Sequence, residues 1–209
     1  MKDFSIQLAD KGYDVWLGNF RGTSYGRSHV ELSPDDKKFW DYSFYEHGYY
    51  DVPASIDFVL NITNQNSLIY IGMSMGTTSI FITLSERPEY NLKIQLVICL
   101  CPVADFSNQP HFEFFWVPIG ISILDSIRFT LKYYPAAKDT EEIIKRVSSK
   151  VIAEPVPHKA FNHLDFIIAK DIKKLLNDRI IERIYQFANK KIFFDDNRLI
   201  NTSFIKSLD

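Results

Sequence analysis

The sequence predicts an α/β fold with a doubly wound, mostly parallel sheet, because short apolar strands alternate with amphipathic helices. Two apolar runs, at residues 67–71 and 94–100, are typical of strands that are buried on both faces of a sheet. Apolar residues at helical spacing precede the first run at residues 49–60 and separate the two runs at residues 77–85. With 209 residues, 46% of them hydrophobic, the chain is long enough for one domain with a sizeable core.

The region before residue 49 is expected to contain one short helix, one strand and a polar segment. Apolar residues within 4–9, followed by Gly12, predict a helix that ends at a glycine. The run at residues 13–18 is interpreted as a strand, and residues 19–22 as the loop that leaves it. Residues 23–40 are polar and rich in turn-forming side chains, so we expect no long element there.

Beyond the second apolar run, the pattern is helical. Residues 119–131 are compatible with a helix, residues 140–147 predict an amphipathic helix, and residues 166–187 predict a longer one. No clear periodicity follows from Asn189 onward, so we expect this end of the chain to be loosely held.

The charge balance and the apolar runs exclude several classes of partner and location. The chain has 24 basic and 26 acidic residues, so its net charge of −2 favours neither nucleic acid nor an anionic membrane. The N-terminal residues lack the apolar core of a signal peptide, and the longest uncharged apolar run, residues 114–124, is too short to span a bilayer. Aromatic residues make up 15% of the chain, which predicts large apolar pockets or faces besides the core.

The two cysteines are predicted to be free thiols. Cys99 and Cys101 lie two positions apart in a strand-like run, so their side chains point to the same face. A disulfide within one strand at that spacing is strained. We therefore expect two buried thiols and no disulfide framework.

The most informative segment is a G-x-S-x-G motif between a predicted strand and a predicted helix. Gly72 and Gly76 flank Ser74, and this strand–turn–helix context is the one in which the motif presents a nucleophilic serine. The backbone N–H of Met75 would then stand at the helix N-terminus, where it can stabilise an oxyanion. The alternative interpretation is a glycine-rich turn that contains an incidental serine.

A nucleophilic serine needs a base that accepts its proton and an acid that orients the base. Three histidines follow Ser74, and His163 lies directly before the predicted long helix, so we interpret it as the base. His111 and His158 are interpreted as surface or packing residues. A metal site formed by His158, His163 and Asp165 is compatible with the spacing but has no evident further ligand. We therefore expect neither a metal nor a cofactor.

Several segments resemble the acid lipase family, which comprises gastric and lysosomal acid lipases and their insect relatives. The similar segments are residues 8–22 (LADKGYDVWLGNFRG), 32–34 (LSP) with 39–40 (FW), 50–58 (YDVPASIDF) and 162–166 (NHLDF). The family commonly has His and Gln beside the serine, where this chain has Met73 and Met75. Together the resemblance covers most of residues 8–105 and 138–188.

The resemblance implies an α/β-hydrolase fold and hydrolysis of lipid esters. It assigns Ser74 as nucleophile, His163 as base and the N–H of Met75 as an oxyanion donor. It also implies a lipid ester substrate, transient contact with a lipid interface, and secretion or a lysosomal location. The glycosylation sequons at Asn61 and Asn201 fit that route, whereas the N-terminus as written predicts a cytoplasmic protein.

The sequence also departs from the family's pattern in three places. The family has strands upstream of residue 8, including a His-Gly loop that supplies an oxyanion donor, and it has a large cap where this chain has residues 106–139. The position of the family's catalytic Asp falls near Lys132 or Tyr134. Asp139 is the nearest carboxylate, although its position favours a helix N-cap.

These departures predict a partial hydrolase domain. We expect it to span residues 1–188, with 106–139 as a shortened cap remnant and 189–209 as a tail, and to lack the N-terminal strands and most of the cap. Two functions follow from the sequence: a lipase-type serine ester hydrolase, or a truncated, catalytically impaired relative that binds lipid or a partner.

Overall fold

A computed structural model describes residues 3–104, 142–146, 151–154, 156–158, 161, 165–190 and 199–200. The chain divides into two compact units. The first unit consists of residues 16–104, and the second unit consists of residues 1–15 together with 105–209.

The regular elements of the described residues are numbered here in chain order. The helices are α1 (Phe4–Ala9), α2 (Phe44–Glu46), α3 (Val52–Thr63), α4 (Met75–Glu86), α5 (Asp165–Ile168) and α6 (Asp178–Ala188), and residues 142–146 are also helical. The strands are β1 (Leu68–Met73), β2 (Ile94–Leu100), β3 (Ile152–Ala153) and β4 (Leu199–Ile200). Short 3-10 turns occupy Lys37–Trp40 and Pro88–Leu92, and π turns occupy His47–Asp51 and Lys173–Asn177.

The first unit is built around two parallel strands joined by a helix. β1 pairs with β2 from Leu68↔Ile94 to Met73↔Leu100, with a shift in register after Leu68. Helix α4 connects them, so β1, α4 and β2 form the βαβ unit that the alternating pattern predicts. Both predicted strands and the parallel direction are confirmed. The expected burial on both faces is not, because most residues of the two strands are half-buried.

The strand predicted at residues 13–18 is wrong. This stretch lies outside any helix or strand, and within the described part of the first unit the sheet contains β1 and β2 alone. Leu17 is exposed, and Trp16 contacts the edge of Phe58 on α3 at 6.0 Å between ring centroids. A β-favouring sequence becomes a strand only when a neighbouring strand offers hydrogen bonds, and here the stretch has side-chain packing instead.

The core of the first unit lies between α3, α4 and the sheet. Val52, Ile56, Ile80 and Tyr90 are buried, and the partly buried residues packed on them are Phe20, Leu60, Leu68, Tyr70, Phe81, Leu84, Ile94 and Val97. The hydroxyl of Tyr90 donates to Asp57 Oδ2 at 2.7 Å, which satisfies the polar end of this ring.

The π turn between α2 and α3 packs directly on α4. A Cβ added to Gly48 would lie 2.7 Å from the carbonyl oxygen of Ser79, so only glycine allows this approach. At the far end of the turn, Asp51 accepts hydrogen bonds from the backbone N–H and the guanidinium of Arg21 at 2.7–3.1 Å. The helix predicted from residue 49 begins earlier, at Phe44, where Ser43 and Glu46 form a capping box, and it contains this irregular turn.

The long helix predicted at residues 166–187 is interrupted in the second unit. It consists of α5, a break at 169–171, the π turn and α6. Its buried apolar residues are spaced by four, at Ile172, Leu176, Ile180 and Ile184. A π turn holds more residues than an α turn, so one such turn within this run helps to keep the four on one face.

Two further features bear on the sequence-based expectations. Cys99 and Cys101 are free thiols, as predicted, but both are half-buried where full burial was expected. Among the described helices, none combines the length and the apolar character needed to cross a bilayer.

His47 lies in the π turn as a buried, unpaired imidazole. It is 6% exposed and stacks on Phe20 at 4.7 Å between ring centroids, with Tyr42 at 5.4 Å. Neither ring nitrogen has a hydrogen-bond partner in the structure as described. Burial lowers the pKa of His47 below its usual value, opposed by Asp51 and Glu46 and assisted by Arg21.

This burial predicts a loss of stability in mild acid. The unfolded chain, with a histidine pKa near 6.5, binds a proton more readily than the folded chain. The free energy of unfolding should therefore fall as the pH decreases from about 7.5 through 6.5, and level off below the folded pKa. Urea unfolding at pH 7.5, 6.5 and 5.5 measures this slope. His47→Phe, which keeps a ring in the stack, should flatten it, and an equal slope in that variant would contradict the assignment.

Candidate active site

Ser74 occupies the junction between β1 and α4 in a strained backbone conformation. Its φ of 51° and ψ of −115° lie in a region that residues with side chains rarely adopt. The N–H of Ser74 donates to the carbonyl of Leu100 at 3.0 Å, and the carbonyl of Ser74 accepts from the N–H of Thr77 at 2.9 Å. The chain therefore turns from strand into helix within one residue, as the motif predicts.

The two glycines of the motif have different steric roles. A Cβ on Gly72 would lie 2.9 Å from the carbonyl carbon and oxygen of Gly76, so the strand and the helix touch at this point. A Cβ on Gly76 would meet the hydroxyl of Tyr70 at an ordinary 3.7 Å. Tyr70 donates that hydroxyl to the carbonyl of Gly76 at 2.9 Å, and burial raises the pKa of Tyr70 to about 12, so the donor stays protonated. Only the first glycine is required by close approach.

Met75 is the first residue of α4, and its backbone N–H is one of the helix's initial donors. The first four N–H groups of a helix have no acceptor within it, and they carry the positive end of the helix dipole. The side chain of Met75 is exposed. The site can therefore present a backbone donor beside the serine to a negatively charged oxygen, which is the arrangement that stabilises a tetrahedral intermediate.

The start of α4 is tied to the chain that follows β2 by two threonines. Thr77 is fully buried; its hydroxyl donates to the carbonyl of Ser74 at 2.5 Å and accepts from the N–H of Val103 at 2.9 Å. The hydroxyl of Thr78 donates to the carbonyl of Val103 at 2.6 Å. Sequence reasoning missed these contacts, and its available signal was the pair of threonines directly after the motif.

Cys101 lies next to Ser74, because the register places it immediately beyond the last pair of β1 and β2. It also has a left-handed backbone, with φ at 42°. Burial raises the pKa of the Cys101 thiol to about 11, against a backbone hydrogen bond from Ser74 that lowers it. Burial likewise raises the pKa of Cys99 to about 12. Burial therefore disfavours the reactive thiolate form of both cysteines.

Most of the remaining predicted site residues cannot be located. His163 and Asp139 lie outside the described residues, as do His111 and the sequon at Asn201. The described ranges contain no group of three or more side chains suited to holding a metal ion. The sequon at Asn61 lies on an exposed position of α3.

Comparison with known proteins places the chain among hydrolases. Residues 3–139 match the family model described as alpha/beta hydrolase fold. The chain is 53% identical to Lipase 1 of Drosophila melanogaster over 95 residues, which are 46% of this chain and 22% of that protein. It is 50% identical to gastric triacylglycerol lipase of Bos taurus over 97 residues, covering 46% and 24% of the two chains.

A third relative extends the match slightly. The chain is 46% identical to lysosomal acid lipase/cholesteryl ester hydrolase of Macaca fascicularis over 105 residues, which are 49% of this chain and 26% of that protein. The chain thus spans about a quarter of the length of the curated relatives it matches.

The steric difference between the two glycines predicts opposite outcomes for the same substitution. Gly72→Ala should lower the free energy of unfolding by about 1–3 kcal/mol, because the new methyl group overlaps the backbone of the helix. Gly76→Ala should be neutral or stabilising by up to about 1 kcal/mol, because alanine favours the helix and finds space. Chemical denaturation of the two variants measures the difference, and equal losses would show that the approach of strand and helix is not as close as described.

Proposed function

The chain belongs to the alpha/beta hydrolase fold family, and within that family we propose that it is a lipase-type serine ester hydrolase. The observation that carries the proposal is the strained Ser74, held between the end of β1 and the N-terminus of α4. Three relatives at 46–53% identity support the substrate class, because the names of two of them specify triacylglycerol and cholesteryl ester. The substrate we propose is a lipid ester, met by transient contact with a lipid interface.

The proposed reaction is acyl transfer to water in two steps. The Oγ of Ser74 attacks the ester carbonyl and passes its proton to His163, while the N–H of Met75 donates to the developing oxyanion. The alcohol leaves with the proton returned by His163, which forms an acyl-serine. Water, deprotonated by the same histidine, then releases the acid and restores the serine.

The assignment of the base rests on chain order and on local context. His163 follows Ser74 and directly precedes the helical region that begins at Asp165, where this fold carries its base. His158 has no comparable position and is a suitable control, since it is a nearby histidine without a proposed role. Asp139 is the carboxylate closest in sequence to the position of the family's acid, and its proposed role is the N-cap of the helix predicted at residues 140–147.

A fluorophosphonate probe tests the nucleophile and the base. The native chain should be labelled, Ser74→Ala should not, and His163→Ala should be labelled at least about 10³-fold more slowly because the serine then lacks its base. His158→Ala should react at the native rate. Absence of labelling above the Ser74→Ala level would overturn the ester hydrolase proposal and favour a non-catalytic relative that binds lipid or a partner.

The role of Asp139 is tested by removing its charge. As an N-cap, Asp139→Asn should keep the native labelling rate, because asparagine caps helices as well as aspartate does. An acid that orients His163 would behave differently: its loss would leave the imidazole in the wrong tautomer and slow labelling by about 10⁴-fold. Labelling kinetics of this one variant therefore distinguish the two roles.

A further inference from the structure

The hydroxyl of Thr77 stands in the middle of a chain of hydrogen bonds that ends at the nucleophile. The N–H of Val103 donates to Thr77 Oγ1 at 2.9 Å, and Thr77 Oγ1 donates to the carbonyl of Ser74 at 2.5 Å. The carbonyl of Ser74 also accepts from the backbone N–H of Thr77 at 2.9 Å and of Thr78 at 3.4 Å. One residue of α4 thus holds the strained serine from both its backbone and its side chain.

Because the carbonyl of Ser74 is held in place, the N–H of Met75, which belongs to the same peptide group, is held as well. The peptide between Ser74 and Met75 is planar and trans, as no cis peptide bond is found among the described residues, so its C=O and N–H point in opposite directions. With the carbonyl drawn toward Thr77 inside the helix, the N–H of Met75 is directed away from the helix, toward the serine side. Any rotation of this peptide plane moves the donor and the carbonyl together.

We propose that Thr77 is a positioning residue that fixes the direction of the Met75 N–H, and that Val103, in the chain that follows β2, anchors Thr77. The inference rests on the proposed function, because the donor matters only if an oxyanion forms at Ser74. Thr77 touches neither substrate nor reacting atoms; it acts through the peptide plane of Ser74 and Met75.

The burial of Thr77 makes this contact hard to replace. Its side chain is 0% exposed, so no bulk water can take over the hydrogen bonds when the hydroxyl is lost. In Thr77→Val the N–H of Val103 would lose its acceptor and the carbonyl of Ser74 its closest donor. The second contact, from Thr78 to the carbonyl of Val103, keeps the two segments together but does not reach the Ser74–Met75 peptide.

The same helix offers a matched control. Thr83 is also 0% exposed, and its hydroxyl donates to the backbone carbonyls of Gly48 at 2.6 Å and Ser79 at 3.0 Å. Thr83→Val therefore removes a buried hydroxyl of the same kind, from the same helix, more than one turn away from the serine. It reports the general cost of such a loss without a change at the proposed donor.

The proposal is tested by the labelling rate constant at saturating fluorophosphonate. Thr77→Val should lower this rate constant about 10- to 100-fold. A misdirected Met75 N–H slows the reaction less than an absent oxyanion donor would, but more than a loss of packing would. Thr77→Ser should stay within about threefold of the native rate, since it keeps the hydroxyl. Thr83→Val should also stay within about threefold, because its contacts are independent of the site. The probe concentration at half-maximal rate and the midpoint of the pH profile should be unchanged throughout.

Two outcomes overturn the proposal. One is native labelling by Thr77→Val. The other is an equal loss in Thr77→Val and Thr83→Val, which would assign the effect to general destabilisation. If Thr77→Val does not fold, Thr77→Cys and Thr77→Ser replace it, because both lose one methyl group and differ in hydrogen-bonding strength. Equal rates for these two would then overturn the proposal.

Amide hydrogen exchange separates this proposal from the proposed function. Exchange at Val103 should accelerate in Thr77→Val and stay slow in Thr83→Val, whether or not the chain reacts with the probe. If the native chain is not labelled but the two variants show this difference in exchange, the hydrolase proposal is refuted and the contact between Thr77 and Val103 is confirmed. A chain that labels, but shows equal exchange in both variants, retains the hydrolase and refutes the role of Thr77.

Discussion

The hydrogen bond from the Ser74 N–H to the Leu100 carbonyl joins the two strands at the point where the first of them becomes a helix. It extends the parallel ladder by one step beyond the last pair, Met73↔Leu100, and so holds Ser74 at a positive φ. A backbone of this kind costs about 1–3 kcal/mol and persists only where its surroundings determine it. The direction of α4, the position of its first N–H groups and the need for glycine at position 72 all follow from this turn.

Much of the first unit could be predicted because its signals are local. Apolar runs at residues 67–71 and 94–100 predicted β1 and β2 to within two residues, because a short apolar run bounded by turn signals leaves little ambiguity. Residues 13–18 have similar composition but form no strand, because pairing is decided by a neighbour and not by the residues themselves. The π turn at His47–Asp51 was also beyond prediction, as it depends on Gly48 meeting α4, a contact that spans more than thirty residues.

In the candidate site, too, features set by local sequence were predictable and features set by distant contacts were not. The glycine spacing predicted both the strand-to-helix turn and the serine at its tip, because the motif encodes one backbone shape. Thr77 belongs to the same segment, but its contact could not be predicted from the motif. It depends on a hydrogen bond with Val103, 26 residues further along the chain. His163 and Asp139 were chosen by chain order and by resemblance, which specify a neighbourhood but no distance.

Helix α4 is held by directed bonds at several of its turns. Near its start, Thr77 and Thr78 bind the backbone at Val103, and two turns later Thr83 binds the carbonyl of Gly48. Apolar contacts alone would let such a helix slide or roll by small amounts at little cost, whereas hydroxyl–carbonyl bonds weaken steeply once they are bent. The helix therefore cannot rotate about its own axis without breaking the hydrogen bonds of Thr77, Thr78 and Thr83. These bonds fix the orientation of its N-terminus as well as its position.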